Sequence, residues 1–197
     1  MSVSHNNIVC QRGDDPIYDP SFLDKVDFTK HKASFNPPIT PSNICKDVVM
    51  RPLCLGDYDR GYMELLDEHV PGPKISKQQF TERFIKMKSA GDIHFVTVIE
   101  DVNTNKTVAT ATLVNELKFL FGGTARGRIE DVVVSKPYRG RQFAKILVET
   151  LTLLAAELGC YEASLETDED KVPLYSKFGY TVSSSDFYMT QRFINFV

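Results

Sequence analysis

Hydrophobic and polar positions follow two distinct rhythms from Asp47 onward, and together they predict an ordered succession of strands and helices. The run from Val48 to Leu53 predicts a short strand, and Asp57 is the expected N-cap of a helix that buries Tyr62, Leu65 and Leu66. Ser76 and Gln79 make a capping box, after which Phe80, Phe84 and Met87 recur at i, i+4 and i+7 until Gly91 closes a second helix. Two β-branched runs, Ile93 to Asp101 and Thr107 to Val114, flank Asn103, Thr104, Asn105 and Lys106, the pattern of an antiparallel hairpin.

Beyond the hairpin, Gly127 to Val134 predicts a further strand, and Phe143, Leu147, Leu151, Leu154 and Leu158 mark one face of a long helix stopped by Gly159. Cys160 to Glu166 is another strand, so the three elements form a β-α-β unit whose strands should be parallel and joined by a right-handed crossover. A short helix ends at Phe178 and Gly179, and Tyr180 to Val182 with Tyr188 to Phe193 predict a closing hairpin. The order describes an α/β architecture, a mixed sheet with helices packed on it. Residues 1–46 read differently, because five of the ten prolines fall before residue 42 and only Phe22, Leu23, Val26 and Phe28 form an apolar group. This segment is expected to be an extension that docks in part on the domain 47–197 or on a second subunit.

A length of 197 residues suits one domain with an extension, and 42% hydrophobic with 25% charged residues allows a substantial core. The longest stretch free of Asp, Glu, Lys, Arg and His is Ala33 to Cys45, polar and broken by prolines, so no membrane span is expected. The first thirty residues lack the basic-then-apolar order of a secretory leader, and the four cysteines are widely spaced without C-x-x-C. Reduced thiols and a cytoplasmic location follow as expectations. The scattered cysteines and histidines suggest no metal site. With 23 basic and 26 acidic side chains the net charge is -3, without the positive field that drives nucleic-acid binding.

The main chemical signal is electrostatic. Arg139, Arg141 and Lys145 crowd the start of the long helix, where the dipole is already positive and acidic residues are the usual choice. Three like charges there raise the local energy unless an anion offsets them. Gly140 lets the backbone approach closely, and free helix amides behind a parallel strand make a ready phosphate site; the plain alternative is a solvated basic turn. Neither G-x-x-x-x-G-K-[ST] nor G-x-G-x-x-G is present, so a P-loop and a dinucleotide fingerprint are both excluded. Glu130 and Asp131 are consecutive in a strand, so one carboxylate enters an apolar layer and needs a partner, unless a bulge lets both reach solvent. Tyr175, beside Phe178 and Tyr180, reads by itself as a core tyrosine, and Cys160 as a core thiol.

Three segments carry a family resemblance: Arg128-Ile129-Glu130-Asp131-Val132-Val133-Val134, then Tyr138-Arg139-Gly140-Arg141-Gln142-Phe143-Ala144-Lys145, then Leu174-Tyr175-Ser176-Lys177-Phe178-Gly179-Tyr180. They resemble the GNAT acetyltransferase superfamily, and Met50-Arg51-Pro52-Leu53 with Tyr188-Met189-Thr190-Gln191-Arg192-Phe193 is similar to its eukaryotic glucosamine 6-phosphate N-acetyltransferases. The resemblance spans roughly Val48 to Phe193. It implies the GNAT fold, a central and mostly antiparallel mixed sheet flanked by helices, and acetyl-CoA as cosubstrate. The family's R/Q-x-x-G-x-G/A loop corresponds to Arg139, Gly140, Arg141, Gln142, Phe143 and Ala144, with Gln142 in place of the middle glycine. Gln142 can still donate its amide to a diphosphate if it takes ordinary helical φ/ψ. Lys145, Val132, Val134, Lys171 and Tyr175 complete the implied cofactor contacts.

The resemblance further implies a bulge in the Glu130–Val134 strand. There Glu130 or the Asp131 carbonyl orients and deprotonates the amine, and the Val132 amide polarises the thioester oxygen. Tyr175 becomes the acid that serves the departing thiolate. Attack is direct, with no covalent enzyme intermediate. Residues matching the phosphosugar site are Lys118, Phe119, Leu120, Phe121, Tyr161, Glu162, Glu166 and Arg192, together with Glu130 and Asp131, part of the site coming from the second subunit of a homodimer. Three positions depart from the family: Val70 stands for a threonine, Phe121 for a histidine and Lys171 for an asparagine. They leave open acetylation of another amine, such as a polyamine or a protein lysine. Gln142 and Lys171 also leave open a CoA-binding module without turnover.

Overall fold

The computed structural model describes residues 14–183, 189–191 and 193. Among these residues five strands form one sheet in sequential order: β1 (Val48–Pro52), β2 (His94–Asp101), β3 (Lys106–Leu117), β4 (Ala125–Val134) and β5 (Cys160–Leu165). Neighbours are antiparallel except β4 and β5, whose parallel pairing follows from the crossover helix between them. The mixed, mostly antiparallel sheet expected of the sequence is thus present. The described helices are α1 (Ser21–Asp24), α2 (Tyr62–Asp67), α3 (Lys77–Ser89), α4 (Phe143–Glu157) and α5 (Val172–Ser176).

Central β3 is buried without interruption from Thr107 to Leu113, as a strand must be when both faces of its sheet are covered. The α4 helix supplies much of the cover, burying Phe143, Ile146, Leu147, Val148, Leu151, Leu154 and Ala155 in the core. The α3 helix buries Phe80 and Phe84, and its capping box is closed: Ser76 Oγ accepts from Gln79 N–H at 3.3 Å, and Gln79 Oε1 accepts from Ser76 N–H at 2.8 Å.

Asp57 plays a different part from the one its position suggested. It lies in a 3-10 turn (Leu55–Tyr58), fully buried, and its carboxylate is gripped by both terminal nitrogens of Arg51 at 2.7 Å. Arg51 Nε also donates to Glu100 at 2.8 Å, and the Cys54 amide donates to Asp57 at 2.7 Å. A buried guanidinium requires carboxylates on its fork, so the long-range demand of Arg51 overrides the local capping preference. Gly61, with φ of 86°, precedes α2 instead.

Residues 14–46 join the same core through Ile17, Tyr18, Leu23, Ala33, Ile39 and Ile44. The Ile17 amide bonds the Leu53 carbonyl at 2.8 Å, and the Tyr18 hydroxyl meets Thr97 Oγ1 at 2.7 Å. Near the other end, Tyr180 to Val182 is irregular chain. The Tyr180 amide turns back to the Tyr175 carbonyl and so is not offered to a ladder, and its hydroxyl meets Thr152. Its expected hairpin partner falls partly outside the described residues.

Candidate active site

The site begins where the sheet stops being complete. Ala125 to Ile129 of β4 is paired on both sides, with β3 and with β5, but β5 ends at Leu165 opposite Ile129. From Glu130 onward β4 pairs only with β3, so the sheet opens along Glu130–Val134 and leaves one line of backbone groups without a strand partner among the described residues. On the β3 side, Thr110 pairs with Val133 and Thr112 with Glu130, so Asp131 and Val132 together face Ala111. That is a β-bulge, and Asp131 takes the left-handed φ of 53° that accommodates it. The bulge also answers the question of the two acids: Asp131 reaches solvent, whereas Glu130 is half-buried.

Glu130 has a partner in Arg128, whose Nε lies 3.1 Å from its carboxylate, two residues back on the same strand face. Burial nevertheless pushes the Glu130 carboxyl above its ordinary value; Arg128 opposes the shift, and Asp131, Glu166 and Glu116 add to it. A carboxyl tuned upward beside an exposed bulge is suited to proton transfer nearer neutral pH. Around it runs a ladder of alternating charge. Lys118 Nζ donates to Glu116 at 2.9 Å, Arg128 lies 3.8 Å from Glu116, and Arg126 pairs with Glu162 at 3.0 Å. Phe121 stacks at a tilt on Tyr161 with centroids 4.7 Å apart, so the loop after β3 and the start of β5 meet. Phe119, Leu120 and Phe121 are exposed.

The second part of the site is the loop entering α4. Gly140 has φ of 80°, and a Cβ added to it would meet nothing within 4 Å, so the backbone there faces open space. Gln142 departs from the ordinary helical geometry that its side chain suggests. Its φ of 66° and ψ of 14° are left-handed, so it takes the conformation a glycine would adopt at this position. No side chain caps α4, and its first turn holds no acidic residue. The amides that open a helix have no intrahelical partner, and here Arg139 and Arg141 are exposed beside them, with Lys145 half-buried. The loop is braced from behind: Tyr138 donates to Asp101 at 2.6 Å, the Arg141 guanidinium lies 4.9 Å over the Tyr138 ring, and Glu68 binds Ser135 Oγ at 2.8 Å and the Lys136 amide at 2.9 Å. Open amides, flanking cations and the vacant line of β4 fit a diphosphate-bearing thioester such as acetyl-CoA.

Tyr175 stands on α5, half-buried, with Phe178 and Tyr180 set edge-on at 5.9 and 6.2 Å. Burial raises its phenol above the ordinary value, and the nearby Lys171 ammonium pulls it back down. Lys171 itself contacts Asp168. Val70 is exposed in the loop after α2, and Arg192 lies outside the described residues. Cys160 donates its thiol to Asn115 at 3.4 Å, and burial holds its ionisation up, as suits a packing thiol. Sequence reasoning passed over Arg128, Glu116, Glu68 and Tyr138. Of these Arg128 and Glu116 were locally legible, each two residues from a partner, Glu130 and Lys118; Glu68 and Tyr138 reach the site across large sequence separations.

The model of the Acetyltransferase (GNAT) family matches residues 61–180. A probable glucosamine 6-phosphate N-acetyltransferase of Drosophila melanogaster is 44% identical over 165 residues, which is 83% of this chain and 75% of that protein. Glucosamine 6-phosphate N-acetyltransferase 1 of Dictyostelium discoideum is 37% identical over 69% of this chain and 87% of its own length. The crystal structure of glucosamine-6-phosphate N-acetyltransferase from Arabidopsis thaliana superposes with a TM-score of 0.69 at 33% identity, covering 75% of this chain and 99% of that one. A bulged, half-paired strand leading into an uncapped basic helix start, together with these likenesses, makes this chain an acetyltransferase that belongs to the GNAT family and groups with the glucosamine 6-phosphate N-acetyltransferases.

Proposed function

We propose that this protein transfers the acetyl group of acetyl-CoA to the amine of glucosamine 6-phosphate, giving N-acetylglucosamine 6-phosphate in the cytoplasm, on the route to UDP-N-acetylglucosamine. The observation that carries this reading is the opening of the sheet along Glu130–Val134 beside the uncapped start of α4. On this reading residues 47–197 are the catalytic unit. Acetyl-CoA supplies a thioester whose carbonyl carbon an amine can attack directly.

The chain's own groups then divide the work. Amides from Gly140 to Lys145, with the side chains of Arg139, Arg141 and Lys145, hold the diphosphate. The backbone of Val132 and Val134, whose carbonyl at Val134 accepts from Arg139 Nε at 3.2 Å, aligns the pantetheine arm along the open edge, and the Val132 amide donates to the acetyl oxygen, where negative charge develops. Glu130, with its upward-shifted carboxyl, takes the proton from the amine directly or through water, and the Asp131 carbonyl orients that amine. Tyr175 returns a proton to the departing sulfur, and the Lys171 charge beside it eases that donation.

Lys118, Glu162, Glu166, Tyr161 and Arg192 are assigned to the phosphosugar. The exposed apolar tip Leu117, Phe119, Leu120 and Phe121 supports a homodimer, because large apolar side chains grouped in one patch at the end of β3 and in the loop after it are the mark of an interface. A Phe119→Asp variant should sediment as a monomer.

The test is free-thiol release from acetyl-CoA, with and without glucosamine 6-phosphate. Release that depends on the phosphosugar is expected. Lys118→Ala and Arg192→Ala should each raise the sugar KM about tenfold, the worth of one charge-assisted contact, while leaving that for acetyl-CoA unchanged. Turnover indifferent to the sugar's phosphate would defeat the substrate assignment.

A further inference from the structure

The segment from Lys30 to Pro37 is laid along α4 and tied to it at every second residue. Lys30 Nζ lies 3.7 Å from Glu157. The Lys32 amide donates to Glu149 Oε1 at 2.6 Å, and that carboxylate is buried. The Ser34 carbonyl accepts from Lys145 Nζ at 2.6 Å, and the same ammonium sits 5.2 Å over the Phe35 ring. Last, Gln142 Oε1 accepts from the Asn36 amide at 3.0 Å, and Gln142 Nε2 donates to the Pro37 carbonyl at 3.0 Å. An extended chain advances about twice as far per residue as a helix, which is why steps of two along the strap meet steps of three to eight along α4.

Two features make this more than packing. Gln142 holds a left-handed backbone that costs a non-glycine residue free energy, and both polar groups of its side-chain amide bond main-chain groups of the strap. Lys145, one of the three cations at the loop, has its reach set by the same strap. The strap therefore touches the helix start at the two residues whose placement decides where loop amides and charge point, and each of its hydrogen bonds to them uses a main-chain group of the strap.

We infer that residues 32–37 form a positioning strap for the diphosphate-binding loop, with Gln142 as the positioning residue through which the N-terminal extension strengthens capture of the nucleotide end of acetyl-CoA. This rests on the acetyl-CoA reading above. Preorganising the left-handed residue lowers the ordering cost that binding must otherwise meet, and by linkage a bound diphosphate must in turn stabilise the strap.

The experiment has two parts. In calorimetry, Gln142→Met, which keeps the side chain's length and removes both hydrogen bonds, should weaken CoA binding about tenfold. The KM for S-acetylpantetheine, which has the thioester but no diphosphate, should rise several-fold less than the Kd for CoA. In wild-type protein, saturating CoA should slow amide exchange at residues 32–36, a readout that does not depend on any variant folding. The inference is overturned by unchanged CoA affinity in Gln142→Met, by equal losses with both donors, or by exchange in the strap that CoA leaves untouched. Wild-type protein that binds no CoA at all would overturn the acetyl-CoA reading itself, and is distinct from each of those results.

Discussion

The two long helices begin in opposite ways. At the start of α3 the polar groups are closed on themselves, Ser76 and Gln79 each satisfying the other's amide. At the start of α4 no side chain caps the amides, cations replace the acids that would suit the dipole, and a glutamine is held in a glycine's conformation. The same contrast runs through the sheet, where the buried Arg51, Asp57 and Glu100 group is fully paired while β4 past Ile129 has, among the described residues, a strand partner on one side only. Where the chain satisfies its own polar groups it gains stability; where it leaves them open it can recognise something else. Substitutions on the closed side should therefore move stability and not turnover, and those on the open side the reverse.

The strongest test lies on the closed side. Arg51→Ala removes the guanidinium that bridges two buried carboxylates and should destabilise the fold by about 3–5 kcal/mol, measured by urea unfolding, with KM values of the remaining folded protein near wild type. On the open side, Tyr175→Phe should lower kcat roughly 10²-fold without a comparable loss of stability, and the basic limb of the kcat profile should disappear. That limb belongs above the ordinary phenol value, because burial raises the group more than Lys171 lowers it.

Glu130→Gln should also lower kcat and should remove the acidic limb, which in the wild type is displaced upward from the ordinary glutamate value by burial. The sign for stability is opposite. A carboxyl whose native pKa is raised stabilises the fold only at low pH and loses that contribution as pH rises through the raised value, so Glu130→Gln should be slightly more stable than wild type at neutral pH. Parity at all pH values would remove Glu130 from the open side. The smallest effect is expected from Ser76→Ala, about 1 kcal/mol and a few degrees in Tm, with both KM values unmoved.

Local signals in the chain carried a long way. The capping box at Ser76, the hairpin around Asn103 to Lys106, the β-α-β crossover and the face of α4 were all legible, because each depends on neighbours within a few turns. Asp57 misled for the same reason in reverse, since a cap is a local preference and Arg51 is a stronger, buried claimant. At the expected strand from Tyr180 the chain is irregular, its first amide turned back to the Tyr175 carbonyl by a bond that no periodicity announces.

For the site, the unusual placement of Arg139, Arg141 and Lys145 was visible in the order of residues, because charge against a helix dipole is a one-dimensional anomaly. The bulge that sends Asp131 outward and leaves Glu130 half-buried, and the point at which β5 parts from β4, were decided only in three dimensions. So were the grip of Asn36 and Pro37 on Gln142 and the closure of Arg51 on Asp57 and Glu100. Periodicity and capping are set by chain neighbours. Burial, register and the partners of buried charge depend on segments that meet only after the chain has folded.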